Sequence, residues 1–112
     1  MNDLEKADVI IREVCKFFDI PIKTIKQNSL KREVVECRQF CMFYIREKTA
    51  LSLDRIGKIF NKDHATVLYS IKNVKNLIKF NGYEERDAWM RFTVNVAIQL
   101  IEYDWTDNIA QL

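Results

Sequence analysis

The 112-residue sequence predicts an all-α fold of five or six helices. Apolar residues recur at helical spacing along most of its length, which is the main indication. The chain has only two Gly and one Pro, too few for the many tight turns of a β-sandwich. Its length and its 48% hydrophobic content suit one domain with a single core. Within it we expect residues 1–80 to form a helix-turn-helix core and residues 81–112 a C-terminal helix, which packs on that core or mediates association.

The first half of the chain predicts three helices. An apolar stripe over residues 4–18 predicts the first of them. Pro21 interrupts this stripe and suits the start of a short second helix, because its fixed φ is compatible with a helical first turn. A polar, basic loop over residues 27–31 then precedes a long helix over about residues 32–48.

Residues 51–68 form the most informative stretch, because they predict two helices joined by a tight polar turn. The apolar positions that bury the first of these helices are Leu53, Ile56, Ile59 and Phe60. Gly57 allows a neighbouring segment to approach closely, at a propensity cost of about 1 kcal/mol relative to Ala. Asp63 can cap the second helix, expected over residues 63–77, whose apolar side includes Leu68. This is the layout of a helix-turn-helix, whose second helix enters the DNA major groove.

The dipeptide Asn81-Gly82 is the clearest stop signal, and a last helix is expected from Glu84 to about Tyr103. Its apolar positions are Trp89, Phe92, Val96, Ile98, Leu100 and Ile101. They cover more than one narrow stripe, so this helix is either wrapped by the domain or offered to a partner. Its aromatic side chains are expected in the core rather than around a ligand.

Charge is distributed unevenly along the chain. Residues 22–80 contain thirteen Lys and Arg and five acidic residues, a net charge of +8, although the whole chain carries only +2. The first 21 residues sum to −2 and residues 81–112 to −4. A basic middle between acidic ends is typical of a surface that binds a polyanion.

The residues present do not support a membrane protein, an enzyme or a nucleotide-binding protein. No apolar run reaches the ~18 residues of a membrane span, and the N-terminus is acidic rather than signal-like, so we expect a cytoplasmic protein that binds no membrane. No nucleophile–base pair, carboxylate dyad or phosphate-binding glycine loop is present, which argues against an enzyme and against a nucleotide cofactor. We expect a stand-alone domain, such as one from a mobile element or phage, or an excised piece of a larger protein.

Metal binding is not expected either. His64 is the only histidine, and no cluster of carboxylates accompanies it. Cys37 and Cys41 lie one helical turn apart and can share a metal, with Cys15 as the only other thiol. Reduced, buried thiols that pack as small apolar side chains are the favoured interpretation.

From residue 38 to residue 74, spaced polar and apolar residues form a specific pattern. Its members are Arg38-Gln39, Met42, Arg46-Glu47, Thr49, Ser52-Leu53, Ile56-Gly57, Phe60, Asp63-His64, Thr66-Val67 and Val74. The pattern resembles the C-terminal DNA-binding domain of the bacterial chromosomal replication initiator, DnaA, and the similarity extends over roughly residues 8–78. The resemblance implies a Trp-repressor-like helical fold, double-stranded DNA as the partner, and recognition of a short asymmetric element, the initiator box.

The resemblance also implies which residues meet DNA. The candidates for base contacts are Gln39, Asp63, His64, Ala65 and Thr66. The candidates for backbone or minor-groove contacts are Lys31, Arg32, Arg38, Arg46, Ser52, Leu53 and Lys62. In this family the helix that opens with Asp-His reads the major groove, and the basic loop before the long helix reaches the minor groove.

The sequence departs from the family pattern at several positions. The turn over residues 60–63 is one residue shorter than the common form, and Ala65 replaces a threonine. Leu30 stands at the position of a minor-groove arginine, and Glu33 and Glu36 fall in a stretch that is normally more basic. We therefore expect weaker DNA binding or a different preferred site. A second hypothesis stays open: a protein-interaction or dimerisation module, which docks on a replication protein or on a second copy through the last helix.

Overall fold

The computed structural model describes the backbone of residues 1–110 and the side chains of residues 1–103. That part of the chain folds into helices without strands, which confirms the predicted all-α fold. The helices are α1 (Asp3–Phe18), α2 (Ile22–Ile25), α3 (Arg32–Lys48), α4 (Leu53–Phe60), α5 (His64–Phe80) and α6 (Glu84–Ala110). The last helix continues beyond its predicted end near Tyr103. Within the described residues, no helix is both long and apolar enough to cross a membrane.

Capping residues determine where helices begin and end. The α1 helix begins after Asn2, whose side chain accepts from the Glu5 N–H at 2.8 Å, and it ends at Asp19 in the left-handed conformation (φ 55°). The α4 helix begins after Ser52, whose hydroxyl oxygen accepts from the Arg55 N–H at 3.2 Å. Such caps satisfy N–H groups that the first turn of a helix leaves free. The predicted start of α1 therefore lies within a residue of the observed one.

The α3 helix is central, because α1, α2, α4 and α5 all pack against it. Its residues Phe40 and Tyr44 are among the largest fully buried side chains, together with Phe60 of α4. The α4 and α5 helices also pack on each other, so they form one unit held against α3. The α6 helix packs along α1 and also contacts α5.

Aromatic side chains of α6 that were predicted for the core are exposed, and that prediction was wrong. They are Trp89, Phe92 and Tyr103, at 60%, 62% and 66% exposure. Leu68 on α5 is also exposed, at 43%. The α6 helix fills the core with Met90 and Val94, which lie four residues apart on one face. Residues that flank this face by one or two positions point elsewhere, because successive helical side chains are about 100° apart.

Polar contacts attach α6 to α3 beside the buried Tyr44. The Tyr44 hydroxyl donates to Asp87 Oδ1 at 2.6 Å, and Arg91 donates to the same oxygen at 3.3 Å. Arg91 also forms an ion pair with Glu47 of α3. Burial, followed by the neighbouring Asp87 carboxylate, raises the pKa of Tyr44, so its hydroxyl keeps the proton that it donates.

Removing this hydroxyl by Tyr44→Phe should lower the free energy of unfolding by about 1.5–3 kcal/mol, the usual contribution of a hydrogen bond to a charged group. Chemical denaturation followed by circular dichroism measures the change. Tyr69→Phe is the matched control, because Tyr69 is exposed and its substitution should be nearly neutral. Equal denaturation midpoints for the two variants would contradict the contribution of this hydrogen bond.

Candidate nucleic-acid interface

Two backbone hydrogen bonds close the turn between α4 and α5. The Lys62 N–H donates to the Gly57 carbonyl at 2.8 Å, and the Asn61 N–H donates to the Lys58 carbonyl at 3.4 Å. Asn61 takes the left-handed conformation (φ 58°) at the end of α4, where Gly and Asn are the favoured residues. Residues 61–63 are therefore enough to connect the two helices.

Gly57 lies where this turn folds back onto α4. A Cβ atom at Gly57 would lie 2.3 Å from the Lys62 carbonyl oxygen, a distance that real contacts do not reach. The close approach predicted at Gly57 is therefore present, and the segment that approaches is the turn itself. The short connection between the helices therefore requires glycine at position 57.

Asp63 ends the turn and caps α5, as predicted. Its Oδ1 accepts from the Thr66 N–H at 2.8 Å, and this hydrogen bond holds the pKa of Asp63 below its usual value. The carboxylate is exposed and a carboxylate has about four acceptor positions, so it can accept further hydrogen bonds from a ligand in front of α5. Thr66 is exposed beside it.

His64 is the first residue of α5 and lies beside the start of α4. Its Nδ1 is 3.4 Å from Oδ1 of Asp54, and both side chains are exposed. This contact engages one ring nitrogen and leaves Nε2 for contacts outside the domain. Asp54 is not among the predicted site residues, although it directly follows Leu53.

The exposed face of α5 extends one turn beyond the predicted residues. Ala65 is exposed, and Tyr69, at 65% exposure, continues the same surface together with Leu68. Tyr69 is absent from the predicted site because it lies outside the Asp-His-x-Thr-Val pattern. The sequence feature that could have indicated Tyr69 is its spacing of four residues from Ala65, which places both residues on one helical face.

The loop before α3 lies next to the turn of the helix-turn-helix. The Lys62 Nζ donates to Asn28 Oδ1 at 3.2 Å, and within the loop the Lys31 N–H donates to the Ser29 hydroxyl at 3.3 Å. Lys31 and Arg32 are both exposed. The structure thus brings the predicted loop and the predicted recognition helix together at one surface.

Part of the positive charge near this loop is balanced within the domain. The Arg32 Nε donates to Glu36 at 3.1 Å, and the Tyr83 hydroxyl donates to the same carboxylate at 2.9 Å. Glu36 was expected to make this stretch less basic. It lies beside Arg32, one of the two cations of the loop. Lys31 makes no ion pair among the described residues, whereas Arg32 does.

Arg38 supports the loop from inside the domain. Its side chain is only 6% exposed, with Nε donating to the Ile25 carbonyl and Nη2 to the Gln27 carbonyl, both at 2.7 Å. These bonds fix the end of α2 and the beginning of the loop. Direct contact of Arg38 with DNA stays a prediction, and the structure gives its guanidinium a positioning role.

Gln39 is also covered by protein. It is 7% exposed, and its Oε1 accepts from Nδ2 of Asn73 on α5 at 2.7 Å. Both Arg38 and Gln39 lie inward because α3 is surrounded by the other helices. Contact between Gln39 and a base likewise stays a prediction.

The predicted backbone contacts cluster where α3 ends and α4 begins. Arg46 is exposed and donates through Nη1 to the Leu51 carbonyl at 3.0 Å. Ser52 caps α4 and is exposed, and Leu53, the first residue of α4, is half-buried. The N–H groups of the first turn of a helix and a nearby guanidinium form a suitable arrangement for a phosphate.

The three cysteines lie together between α1 and α3. Their Sγ atoms are all within 4.8 Å of one another, and all three thiols are buried and free. Burial raises the pKa of the Cys41 thiol, which favours its neutral form. Three thiols are one ligand short of a closed tetrahedral zinc site, so their apolar surroundings support a packing role.

A three-residue turn between two packed helices, with an exposed polar first turn on the second helix, defines a helix-turn-helix domain. The family model described as "Bacterial dnaA protein helix-turn-helix" matches residues 7–74. The chain belongs to this family, which confirms the resemblance seen in the sequence and makes the chain a DNA-binding module by homology.

Several relatives are chromosomal replication initiator proteins named DnaA. The chain is 47% identical to that of Bacteroides thetaiotaomicron over 73 residues, covering 64% of this chain and 16% of the relative. It is 51% identical to that of Bacteroides fragilis over 69 residues, covering 61% and 14%. With the Mycoplasma pneumoniae protein the identity is 34% over 71 residues, covering 63% and 16%. The match thus spans about one sixth of the length of these relatives.

Proposed function

We propose that this chain is a sequence-specific, double-stranded DNA-binding module that reads an initiator-box-type element and has no ATPase of its own. The observation that carries the proposal is the first turn of α5, where Asp63, His64 and Thr66 are exposed at the start of the second helix of the helix-turn-helix. The basic middle of the chain and membership of the family support the same partner. Because that partner is bacterial DNA, the protein works in the cytoplasm.

In this proposal the first turn of α5 enters the major groove. Asp63 accepts from a cytosine amino group, and His64 uses Nε2 to donate or accept at a base edge or a phosphate. The methyl group of Ala65 packs against a thymine methyl. Tyr69, one turn further along the helix, reaches the neighbouring sugar–phosphate backbone. The contacts to base edges provide the sequence information, whereas those to the backbone fix the register.

The start of α4 is the proposed phosphate site. The Leu53 N–H and the Ser52 hydroxyl donate to a phosphate, and Arg46 uses the N–H groups that the Leu51 carbonyl does not occupy. Lys62 lies in the turn after α4, beside the loop before α3, and adds a cation for a neighbouring phosphate. Arg38 and Gln39 act as positioning residues, which hold the loop and α5 in place behind this surface.

Fluorescence anisotropy with a labelled initiator-box duplex and a scrambled duplex, at two salt concentrations, tests the proposal. Preference for the box by more than about tenfold, which corresponds to about 1.4 kcal/mol, supports base readout. Equal, salt-sensitive affinities for the two duplexes contradict specificity for this element, because only phosphate contacts then remain. Failure to bind either duplex at low salt contradicts the DNA-binding role.

Replacing Arg46 by Ala should weaken binding to both duplexes by a similar factor and reduce the slope of log affinity against log salt by about 1. The reason is the loss of one phosphate contact that carries no sequence information. Lys16→Ala is the matched control, because Lys16 is exposed on α1 and pairs only with Glu13 among the described residues. An unchanged salt slope for the Arg46 variant, with circular dichroism confirming its fold, would rule out this phosphate contact.

Self-association through α6 is a second candidate function. The observation in its favour is the exposed pair of Trp89 and Phe92, whose ring centroids lie 6.4 Å apart in an edge-to-face arrangement. The same pair on a second copy can cover it in a two-fold symmetric contact. Sedimentation velocity over a range of concentrations is the test. A dimer that disappears in Trp89→Ala supports this function, and a monomer mass at every concentration excludes it.

A further inference from the structure

All three cysteines of the chain meet at one place between α1 and α3. Cys37 and Cys41 lie one turn apart on α3, and Cys15 approaches them from α1, with its Sγ 3.9 Å from that of Cys37. All three side chains are buried, and each pair of Sγ atoms lies within 4.8 Å. Apolar packing alone does not require three sulfurs at one point, because other small apolar side chains also fill a core.

The spacing of the three sulfurs suits one small thiophilic ion. A bond of about 2.3 Å from an ion to each of three thiolates places the sulfurs at most about 4 Å apart. The separation of 3.9 Å between the sulfurs of Cys15 and Cys37 already has this value. Because no pair is more than 4.8 Å apart, the sulfurs close around an ion by moving inward by less than about 1 Å.

The apolar surroundings of the thiols determine which ionic charge fits. The three cysteines belong to the main hydrophobic core, where an uncompensated charge is costly. Arg38 follows Cys37 in the chain, but its guanidinium donates to two backbone carbonyls instead of to a sulfur. Three thiolates carry a charge of −3, which a trivalent ion cancels and a divalent ion does not. Zinc also needs a fourth ligand, and among the described residues no other His, Cys, Asp or Glu joins this cluster.

We propose that Cys15, Cys37 and Cys41 form a three-coordinate binding site for trivalent arsenic. In the reaction with arsenous acid, three S–H bonds and three As–O bonds break, three As–S bonds form, and three water molecules leave. Arsenic stays trivalent, so the step needs neither an oxidant nor a reductant. The lone pair of arsenic takes the place of a fourth ligand, and the product is uncharged, as an apolar core requires.

Cys15 gives arsenous acid a route to the site. It lines a surface pocket together with Arg12, Lys16 and Pro21, whereas Cys37 and Cys41 are completely buried. Arsenous acid is uncharged in neutral water, so the first As–S bond forms at Cys15 and the other two follow further inside. This inference is independent of the proposed function, because none of the three thiols belongs to the proposed DNA-binding surface.

Titration of the purified full chain with sodium arsenite, in a phosphine reductant that contains no thiol, tests the site. Native mass spectrometry should show one arsenic atom per chain and the loss of three hydrogen atoms. The melting temperature should rise, because the ion binds the folded chain in preference to the unfolded one. Cys15→Ala leaves two thiols and should weaken arsenite binding by more than about tenfold.

Val14→Ala is the matched control, because it also removes a buried group from α1 but keeps all three thiols, so arsenite affinity should be retained. Equal affinities of Cys15→Ala and the unaltered chain, or a loss of fewer than three hydrogens, overturn the three-thiol site. The hydrogen count is measured on the unaltered chain, so it does not depend on how either variant folds.

Two further outcomes test the geometry and the charge. A melting temperature that falls when arsenite is added overturns a preformed site, because the ion then binds the unfolded chain. Displacement of the bound arsenic by an equimolar amount of zinc chloride overturns the preference for a trivalent ion. Retention of the arsenic in the presence of zinc supports it.

Discussion

Replacing Gly57 by Ala should lower the free energy of unfolding by about 1–3 kcal/mol, the range for overpacking in a tightly packed site. The new methyl group would meet the Lys62 carbonyl oxygen at 2.3 Å, and a backbone atom in a short turn cannot move aside as a flexible side chain can. Alanine has better helix propensity than glycine by about 1 kcal/mol, which limits the net loss to about 2 kcal/mol at most. The melting temperature should therefore fall by roughly 10 °C for a domain of this size.

Thermal denaturation followed by circular dichroism measures this effect. Lys58→Ala is the control, because it changes the adjacent, exposed position of the same helix and should alter stability little. The Gly57 variant should also lose affinity for DNA, since the displaced turn carries Asp63 with it. A melting temperature within a few degrees of that of the unaltered chain would show that the turn can shift, and would contradict the requirement for glycine.

The second large effect is expected at Asp63, where two substitutions separate two roles. Asparagine is as good an N-cap as aspartate, so Asp63→Asn should preserve α5. It should nevertheless reduce the preference for the correct duplex by about tenfold or more, because an amide presents a donor where the carboxylate accepts from cytosine. The Asp63→Ala variant should lose both the preference for the correct duplex and part of the free energy of unfolding. Parallel anisotropy and thermal denaturation measurements distinguish the two roles.

The pH dependence of stability provides an independent check on the cap. The hydrogen bond from Thr66 lowers the pKa of Asp63 in the folded state, so the ionised carboxylate stabilises the fold. This contribution is complete above the carboxyl pKa of the unfolded chain and is lost as the pH falls through the lower pKa of the folded state. The acid unfolding of Asp63→Asn should lack this pH-dependent contribution to stability.

The base contact has its own test. Equal preference of Asp63→Asn and the unaltered chain for the initiator-box duplex would contradict this contact.

The helices and the turn could be predicted because each has a local cause. The cap at Asp63, the close contact at Gly57 and the break at Pro21 all depend on residues within a few positions of one another. The buried face of α6 was harder to predict, because the apolar residues of this helix cover several faces. Local spacing does not decide which of these faces is buried. Met90 and Val94 turn inward while Trp89 faces solvent.

The candidate site could be predicted only in part for a related reason. Resemblance to a family predicts that Arg38 and Gln39 contact DNA, but it does not show that both are enclosed by neighbouring helices. Their partners, the Ile25 carbonyl and Asn73, are distant in sequence and are identified only by the packing of α2 and α5 on α3. The spacing of Tyr69 from Ala65 places both on one helical face, but only the packing of α5 shows that this face is exposed.

The hydrogen bonds that hold Asn28 and the Gln27 carbonyl give the proposed binding surface its shape before any DNA arrives. Association then freezes few additional backbone torsions, so the conformational entropy lost by the protein is small. Docking of this kind is close to rigid-body, without helix formation on binding. Differences in affinity between DNA sequences then arise from the duplex, through its groove contacts and its cost of deformation, rather than from ordering of the protein.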